Sequence, residues 1–477
     1  MFVSLVFWLF VAVTLVLYYL VPGRWQNPLL LLASYLIYFY LEPGFVLLLA
    51  GMTLFNFWIA RFLQPDIPQR RRYFWAAVFV NVAVLALFKF GLGIPELVNP
   101  LLNKLGVPNE VLIVNLLLPL GLSFYSFRAL AYIFDIHNWQ IEPEKSLVDF
   151  GLYIAFFPQI VSGPIVRPQP FITALKAVRK FKQEWFVDGL TFIFMGFFYK
   201  IAIADPLYAN LQPSATNIAA LSSTDAWAAL ILYTIRIYAD FAGYSLLAIG
   251  VSVWFGLPIV ENFRQPYFSR TISIFWDRWH ISLSTWIRDY TFYPTSRFLL
   301  RRWGNQRARI IQVIALLVSM TISGIWHGTG WTFVVWGLLH GIYLSIERVF
   351  FPRLRIKPKK VTWIFWLKGA VSLAVTLAAV SAAWVFFRAA SIDDALLFFQ
   401  RLFSSNPISG ITSIWWIKVL VPIILLLIID LPQVVTDNPL VVWRLRPVWR
   451  VIMCTVLLLG IFILGSQTHA PFIYSGF

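Results

Sequence analysis

Of the chain's 477 residues 60% are hydrophobic and only 12% charged, with a mean hydropathy of +0.76 and a formal net charge of +17. So few charges exclude a soluble globular domain; apolar runs of span length recur from end to end, and the fold class is an all-α polytopic membrane protein. The strand alternation of an outer-membrane barrel is absent, and the basic residues sit in short loops between apolar runs, which argues for membrane topology and against a nucleic-acid partner.

In chain order, apolar runs lie near 2–21, 28–42, 44–62, 73–90, 111–134, 186–204, 226–250, 311–326, 331–346, 364–387, 414–431 and 448–466. They predict about eleven or twelve transmembrane helices. With no internal repeat and no low-complexity linker, residues 1–477 read as a single integral membrane domain. The first run has no basic residue before it and no small-residue cleavage site after it. It reads as a retained span whose N-terminus lies outside the cytoplasm. The basic loops Arg70-Arg71-Arg72, Lys176 to Lys182, Arg297 to Arg309, Arg348 to Lys360 and Arg444 to Arg450 are placed in the cytoplasm.

Parity then leaves two segments that cannot cross. Segment 148–166 contains Phe157-Pro158-Gln159-Ile160-Val161-Ser162-Gly163-Pro164, which breaks a helix twice. Broken backbone at membrane depth is tolerated only where protein encloses it, so this segment is expected to be re-entrant. Segment 265–300, around Trp279-His280, is expected to dip or lie in the membrane plane. Runs 311–326 and 331–346 form a hairpin that turns at His327-Gly328-Thr329-Gly330.

The single cysteine, Cys454, excludes an internal disulfide and a Cys-x-x-Cys metal site. Two of the five histidines, His280 and His327, follow a tryptophan in or beside apolar sequence. A charged group at membrane depth costs about 2.5–3.5 kcal/mol on insertion scales, so their presence asks for a reason. Imidazole is the side chain best suited to take and return a proton near neutral pH.

Read as one helix, 275–293 places Trp276, Trp279, Leu283, Trp286, Tyr290 and Tyr293 on one face, and Asp277, His280, Ser284 and Arg288 on another. One reading is an interfacial amphipathic helix with an aromatic belt. The other is that His280 faces a polar tunnel, its ring oriented by Asp277 or Ser284. A single helix face does not give triad geometry.

Around His327, the small residues Ser323, Gly324, Gly328 and Gly330 are expected to leave room for a substrate. The alternative is a buried histidine bonded to a backbone carbonyl. His340 reads as a group supporting the site, or as part of helix packing through Gly337 and Gly341. Asp240 and Tyr244, inside a span, suggest a cavity lining or a buried hydrogen bond. Asn262 and Arg264 begin the approach to His280, while His137 and His469 read as structural or solvated. The histidines lack metal-site spacing, no carboxylate cluster joins them, and there is no P-loop.

Several stretches recur in the order of a known family. They are Leu32-Ala33-Ser34-Tyr35, Pro119 to Tyr125, Phe156 to Gln159 with Ser162 to Arg167, Lys200 to Asp205, and Tyr238 to Tyr244. Glu261-Asn262-Phe263, Arg278 to Ser284 with Arg288-Asp289-Tyr290, Gly324 to Gly328, Phe386 to Ala389 and Phe472-Ile473-Tyr474 follow. Across nearly its whole length the chain resembles the membrane-bound O-acyltransferase (MBOAT) family, most closely its bacterial alginate O-acetylation branch. It departs from that branch at Asp277, at Thr295-Ser296-Arg297 and at Ser475-Gly476-Phe477.

The resemblance implies a ring of tilted helices around a central tunnel. It implies His327 as the essential catalytic residue and His280 as a second family histidine on the cytoplasmic side. Asp240, Tyr244, Asn262, Arg278, Ser284, Arg288 and Trp326 are the expected substrate- and tunnel-lining residues. The expected reaction moves an acyl group, acetyl foremost, from a cytoplasmic thioester, either acetyl-CoA or an acyl carrier. The acceptors are hydroxyls of an extracytoplasmic cell-surface polysaccharide, reached directly or through a secreted acetyl-transferring partner protein. No tightly bound cofactor is expected, and the location is the bacterial inner membrane. D-alanyl transfer to teichoic acid and acylation of peptidoglycan or lipid are the alternatives. A proton-relay transporter or channel is the rival from another class, opposed by the missing inverted repeat and the scarcity of intramembrane charges.

Overall fold

A chain this apolar has only its own backbone groups to bond at membrane depth, and helices satisfy them locally. The computed structural model describes residues 1–91, 118–257, 259–351, 363–404, 413–438, 441, 446–465 and 470–473, with no strand among them. It divides into two units, one built on 1–189 with 248–260, the other on 190–247 with 261–473.

The first unit holds α1 (Leu5–Leu20), α2 (Gly23–Leu41), α3 (Val46–Ile59), α4 (Arg70–Phe90), α5 (Leu122–His137), α6 (Leu147–Ala155), α7 (Phe157–Ile160) and α8 (Pro168–Leu175). Leu5, Leu9, Val13, Val16 and Leu20 of α1 are exposed, an apolar face that suits lipid rather than water. Residues 111–117 of the run expected at 111–134 lie outside the described residues.

The segment expected to be broken is broken. Helix α6 has nine residues, so at about 1.5 Å per residue it is far shorter than about 30 Å of hydrocarbon. The backbone turns out of the helix at Phe156, ahead of Pro158, and every residue from 150 to 166 is buried. Neighbouring side chains satisfy the interruption. Ser34 Oγ accepts the Phe157 N–H at 3.1 Å, and the Tyr153 hydroxyl donates to the Arg128 carbonyl at 2.9 Å. Arg128 Nη1 donates to Gln159 Oε1 at 3.1 Å. Gly121, at φ +77°, lies against the Ile160 carbonyl, where a Cβ has no space.

The second unit takes in α9 (Gln183–Phe197) from residue 190, a π-turn at Phe198–Ala204, α10 (Asp205–Leu211), and α11 (Ser223–Trp254) up to residue 247. It continues with α12 (Ile272–Arg278), α13 (Ile281–Ile287), α14 (Tyr293–Trp303), α15 (Ala308–His327) and α16 (Trp331–Phe350). Helices α17 (Trp363–Arg388), α18 (Ile392–Leu402), α19 (Ser413–Thr436) and α20 (Pro447–Leu464) complete it.

Among the described residues eight helical stretches are long and apolar enough to cross a membrane: Pro43–Leu63, Arg70–Phe90, Gln183–Leu211, Ser223–Trp254, Asn305–His327, Trp331–Phe350, Leu367–Arg388 and Val419–Thr436. Leu5–Leu20 and Val451–Leu464 are apolar but shorter. Helix α2, which carries the run expected at 28–42, opens on a turn with Arg24, Gln26 and Asn27. The architecture is that of an all-α polytopic membrane protein, and none of the eight stretches falls within 265–300.

Helices α15 and α16 form the expected hairpin, and glycines bring them together. A Cβ on Gly324 would strike the Phe333 carbonyl oxygen, and one on Gly337 the Met320 carbonyl oxygen. Close backbone approach through small residues is how membrane helices gain contact where lipid supplies little hydrophobic drive.

Candidate active site

The stretch 275–293 is not one helix, which corrects the expected division of its residues between two faces. Helix α12 ends at Arg278, Trp279 is extended, and His280 adopts left-handed backbone at φ 40°, ψ 54° before α13 begins. A non-glycine residue reaches this region only where its surroundings hold it there. Asn262 does so. Its carbonyl accepts the Ile281 N–H at 2.9 Å, and its side-chain oxygen accepts the Ser282 N–H at 3.3 Å. It thereby fills the role of an N-cap from a separate segment. The Arg264 N–H also donates to the Arg278 carbonyl at 3.0 Å, so residues 262–264 clamp both sides of the break.

The break turns His280 inward. Its ring is fully buried and meets Phe241 edge-on at 4.7 Å between centroids. Burial pushes its imidazole down to about 3, so it is neutral at physiological pH. Trp326 lies 6.1 Å from His280 and 4.7 Å from His327, between centroids, and so joins the two histidines.

His327 is the last residue of α15 and is 1% exposed. Trp326, Trp336 at 4.9 Å and Phe387 at 5.2 Å stand around its ring. Of the small residues expected to leave room, Gly328 does not, because the Phe333 ring occupies the place of its Cβ. His340, one helical turn beyond Trp336, packs on that indole at 5.0 Å, and its Nδ1 accepts the Trp276 Nε1–H at 3.3 Å. That bond leaves the His340 ring proton on Nε2 in the neutral form.

A cavity of about 530 Å³ opens beside this core. Asp277, Ser284, Arg288, Gln312, Ser323 and Arg348 are among its polar lining residues, and Trp276, Ile281, Leu283 and Met320 among its apolar ones. Of the residues expected to line a tunnel, Ser284 and Arg288 line this cavity. The Ser284 hydroxyl donates to the Trp279 carbonyl at 2.9 Å, and Arg288 Nε donates to Asp289 Oδ1 at 3.0 Å. Ser323 precedes His327 by one turn of α15, and Ile281 follows His280 directly.

Asp240, Tyr244, Asn262, Arg278 and Trp326 are not among the cavity's lining residues. Asp240 is wholly buried, and its Oδ1 accepts from Lys200 Nζ at 2.8 Å. Tyr244 stacks on Phe472 at 4.3 Å. Arg278 contributes its carbonyl to the clamp, and Asn262 and Trp326 act as described above. Sequence reading missed Trp336, Phe387 and Phe241 as walls of the two imidazoles. Trp336 carries a signal, four residues before His340 on one helix; Phe241 and Phe387 reach the site from distant segments and are marked only by their places in the family-like stretches Tyr238 to Tyr244 and Phe386 to Ala389. Among the described residues no three His, Cys, Asp or Glu side chains gather as a metal-ligating group.

Residues 143–379, which include His280, His327, His340 and the lining residues of the cavity, match the family described as MBOAT, membrane-bound O-acyltransferase. The chain is 36% identical over 403 residues to the "Probable alginate O-acetylase AlgI" of Azotobacter vinelandii, covering 83% of this chain and 76% of that protein. The chain belongs to the membrane-bound O-acyltransferase family. It is 28% identical over 435 residues to the peptidoglycan O-acetyltransferase of Helicobacter pylori, covering 82% of this chain and 77% of that one. To the teichoic acid D-alanyltransferase of Bacillus subtilis it is 31% identical over 274 residues, covering 55% and 66%. As an MBOAT member the protein is a multi-pass membrane O-acyltransferase.

Proposed function

We propose that this MBOAT enzyme moves an acetyl group from a cytoplasmic thioester toward hydroxyls of a cell-surface polysaccharide, directly or through a secreted partner protein. Its place is the bacterial inner membrane. The observation that carries the chemical part is the enclosure of the His327 imidazole by Trp326, Trp336 and Phe387 at the end of a helix. Acetyl transfer is favoured over D-alanyl transfer because the likeness to the alginate O-acetylase extends over 83% of the chain, against 55% for the D-alanyltransferase.

In this reading a ring nitrogen of His327 takes the proton of the acceptor hydroxyl while its oxygen attacks the thioester carbonyl. The tetrahedral intermediate collapses, the C–S bond breaks, and the imidazolium returns the proton to the leaving sulfur. The products are an ester and a free thiol. A helix C-terminus favours the transient positive charge. General-base help of this kind contributes about 10²–10⁴-fold. The guanidinium groups of Arg288 and Arg348 at the cavity suit phosphate groups, which coenzyme A and a phosphopantetheinyl carrier both bear. His280 directly precedes that cavity's Ile281, with its ring 6.1 Å from Trp326 between centroids, and in this reading it positions the donor.

Membranes containing the enzyme are supplied with labelled acetyl-CoA, acetyl-carrier or D-alanyl-carrier, and with candidate acceptors added one at a time. Label appearing on polysaccharide or a secreted partner from an acetyl donor supports the proposal. Label from the D-alanyl carrier alone replaces it with D-alanylation.

A further inference from the structure

Three ionisable side chains gather inside the second unit, away from the histidines. Lys200, in the π-turn after α9, places Nζ 2.7 Å from Asp205 Oδ1 and 2.8 Å from Asp240 Oδ1, and all three side chains are buried. Charges so placed are costly unless paired and further bonded, and they mark function more often than packing. Lys200 and Asp240 bond further to one short stretch, residues 470–473. Lys200 Nζ also donates to the Ala470 carbonyl at 3.1 Å, and Asp240 Oδ2 accepts the Ile473 N–H at 2.7 Å.

Between these two anchors sits Phe472. Its ring stacks on Tyr244 at 4.3 Å and 23°, and meets Phe241 at 5.9 Å and 68°. Phe241 in turn meets the His280 ring at 4.7 Å and 73°. The chain of contact therefore runs from a buried ion cluster, through residues 470–473, to the back of an imidazole whose own backbone is held in a left-handed turn.

We propose that residues 470–473 form a strap, pinned by Lys200 and Asp240, whose Phe472 positions His280 through Phe241. This rests on the reading of His280 as a donor-positioning residue. Asp240 and Phe472 are then positioning residues, not tunnel lining. Loss of the Phe472 ring loosens Phe241 and with it the His280 imidazole, which weakens donor binding and leaves the proton transfer at His327 intact.

The test is a double-mutant cycle on donor KM and kcat in the full-length enzyme, with Phe472→Ala, His280→Ala and the double variant. An aromatic pair carries about 0.5–1.5 kcal/mol beyond its area, so Phe472→Ala should raise donor KM about two- to tenfold with kcat little changed. Phe472→Tyr, which keeps the ring, should restore KM. In the His280→Ala background the Phe472 substitution should add nothing, because the group it acts through is gone. Independent, multiplicative losses in the double variant would overturn the strap. So would a wild-type KM in Phe472→Ala alongside a raised KM in His280→Ala. If His280→Ala itself keeps wild-type kinetics, the donor-positioning reading fails and the strap fails with it, a result distinct from either. Asp240→Asn, which keeps the shape and loses the charge, should reproduce the Phe472→Ala change in KM; an unchanged KM would contradict the pinning.

Discussion

The Trp276 indole N–H donates to Nδ1 of His340 across 3.3 Å, between two side chains with almost no access to solvent. Trp276→Phe keeps a ring in place and removes the donor. An unpaired buried acceptor costs about 1–3 kcal/mol, so the variant should melt at lower temperature in detergent. Because His340 packs on Trp336, which stands against His327, turnover should fall. A melting temperature and turnover both at wild-type level would show that this hydrogen bond holds nothing in place.

The interhelical glycines give a second prediction. Gly324→Ala or Gly337→Ala sets a methyl against a backbone carbonyl that cannot swing away, unlike the tip of a side chain. Overpacking of this kind costs about 1–3 kcal/mol. Gly330→Ala is the control, since the nearest atom to its added carbon is Thr332 Oγ1 at 3.4 Å. Thermal melts should separate the two hairpin variants from the control, and equal melting temperatures would contradict the packing described for α15 and α16.

Much of this was legible in the sequence, and the reasons are physical. Pro158 and Gly163-Pro164 cannot continue a helix that arrives from Leu147–Ala155 without loss of its backbone bonds, so the interruption at 156–166 could be read from local chemistry alone. The hairpin at His327 followed from two apolar runs and a glycine-rich turn. The break at His280 was hidden, because the sequence 275–293 keeps helical spacing through it. What breaks it is Asn262, more than a dozen residues earlier, which bonds the N–H groups of Ile281 and Ser282. The glycines near His327 misled in the other direction. Small residues look like vacant space in a sequence, yet Phe333 occupies it at Gly324 and Gly328, and of the four small residues only Ser323 lines the cavity. Asp240 was visible as an intramembrane acid, but its partners Lys200 and Ile473 lie far away in the chain and only folding brings them together.

A pH prediction follows from the burial of His280. Its imidazole is pushed down to about 3, whereas in the unfolded chain it titrates near the ordinary 6.5. Between those values the unfolded chain binds a proton that the folded one refuses, so stability falls as pH drops below about 6.5 and the loss is complete below about 3. His280→Gln removes this difference. Between about pH 7 and about pH 5 the wild-type melting temperature should fall further than that of the variant. Parallel curves would mean that His280 is protonated or solvent-accessible in the folded enzyme.

The central claim is that His327 is the base, and His327→Gln tests it most directly. Glutamine keeps a hydrogen-bonding side chain of similar reach and lacks a nitrogen that titrates near neutrality. Ser323 and Thr329 cannot take over, because a hydroxyl is too weak a base at neutral pH. The measurement is labelled acetyl transfer in membranes, normalised to folded enzyme by thermal melt. The account predicts a melting temperature near wild type and a loss of at least about a hundredfold in turnover. Turnover within a few-fold of wild type in His327→Gln would contradict it, making His327 a structural residue of the aromatic core and moving the search for the base to His280.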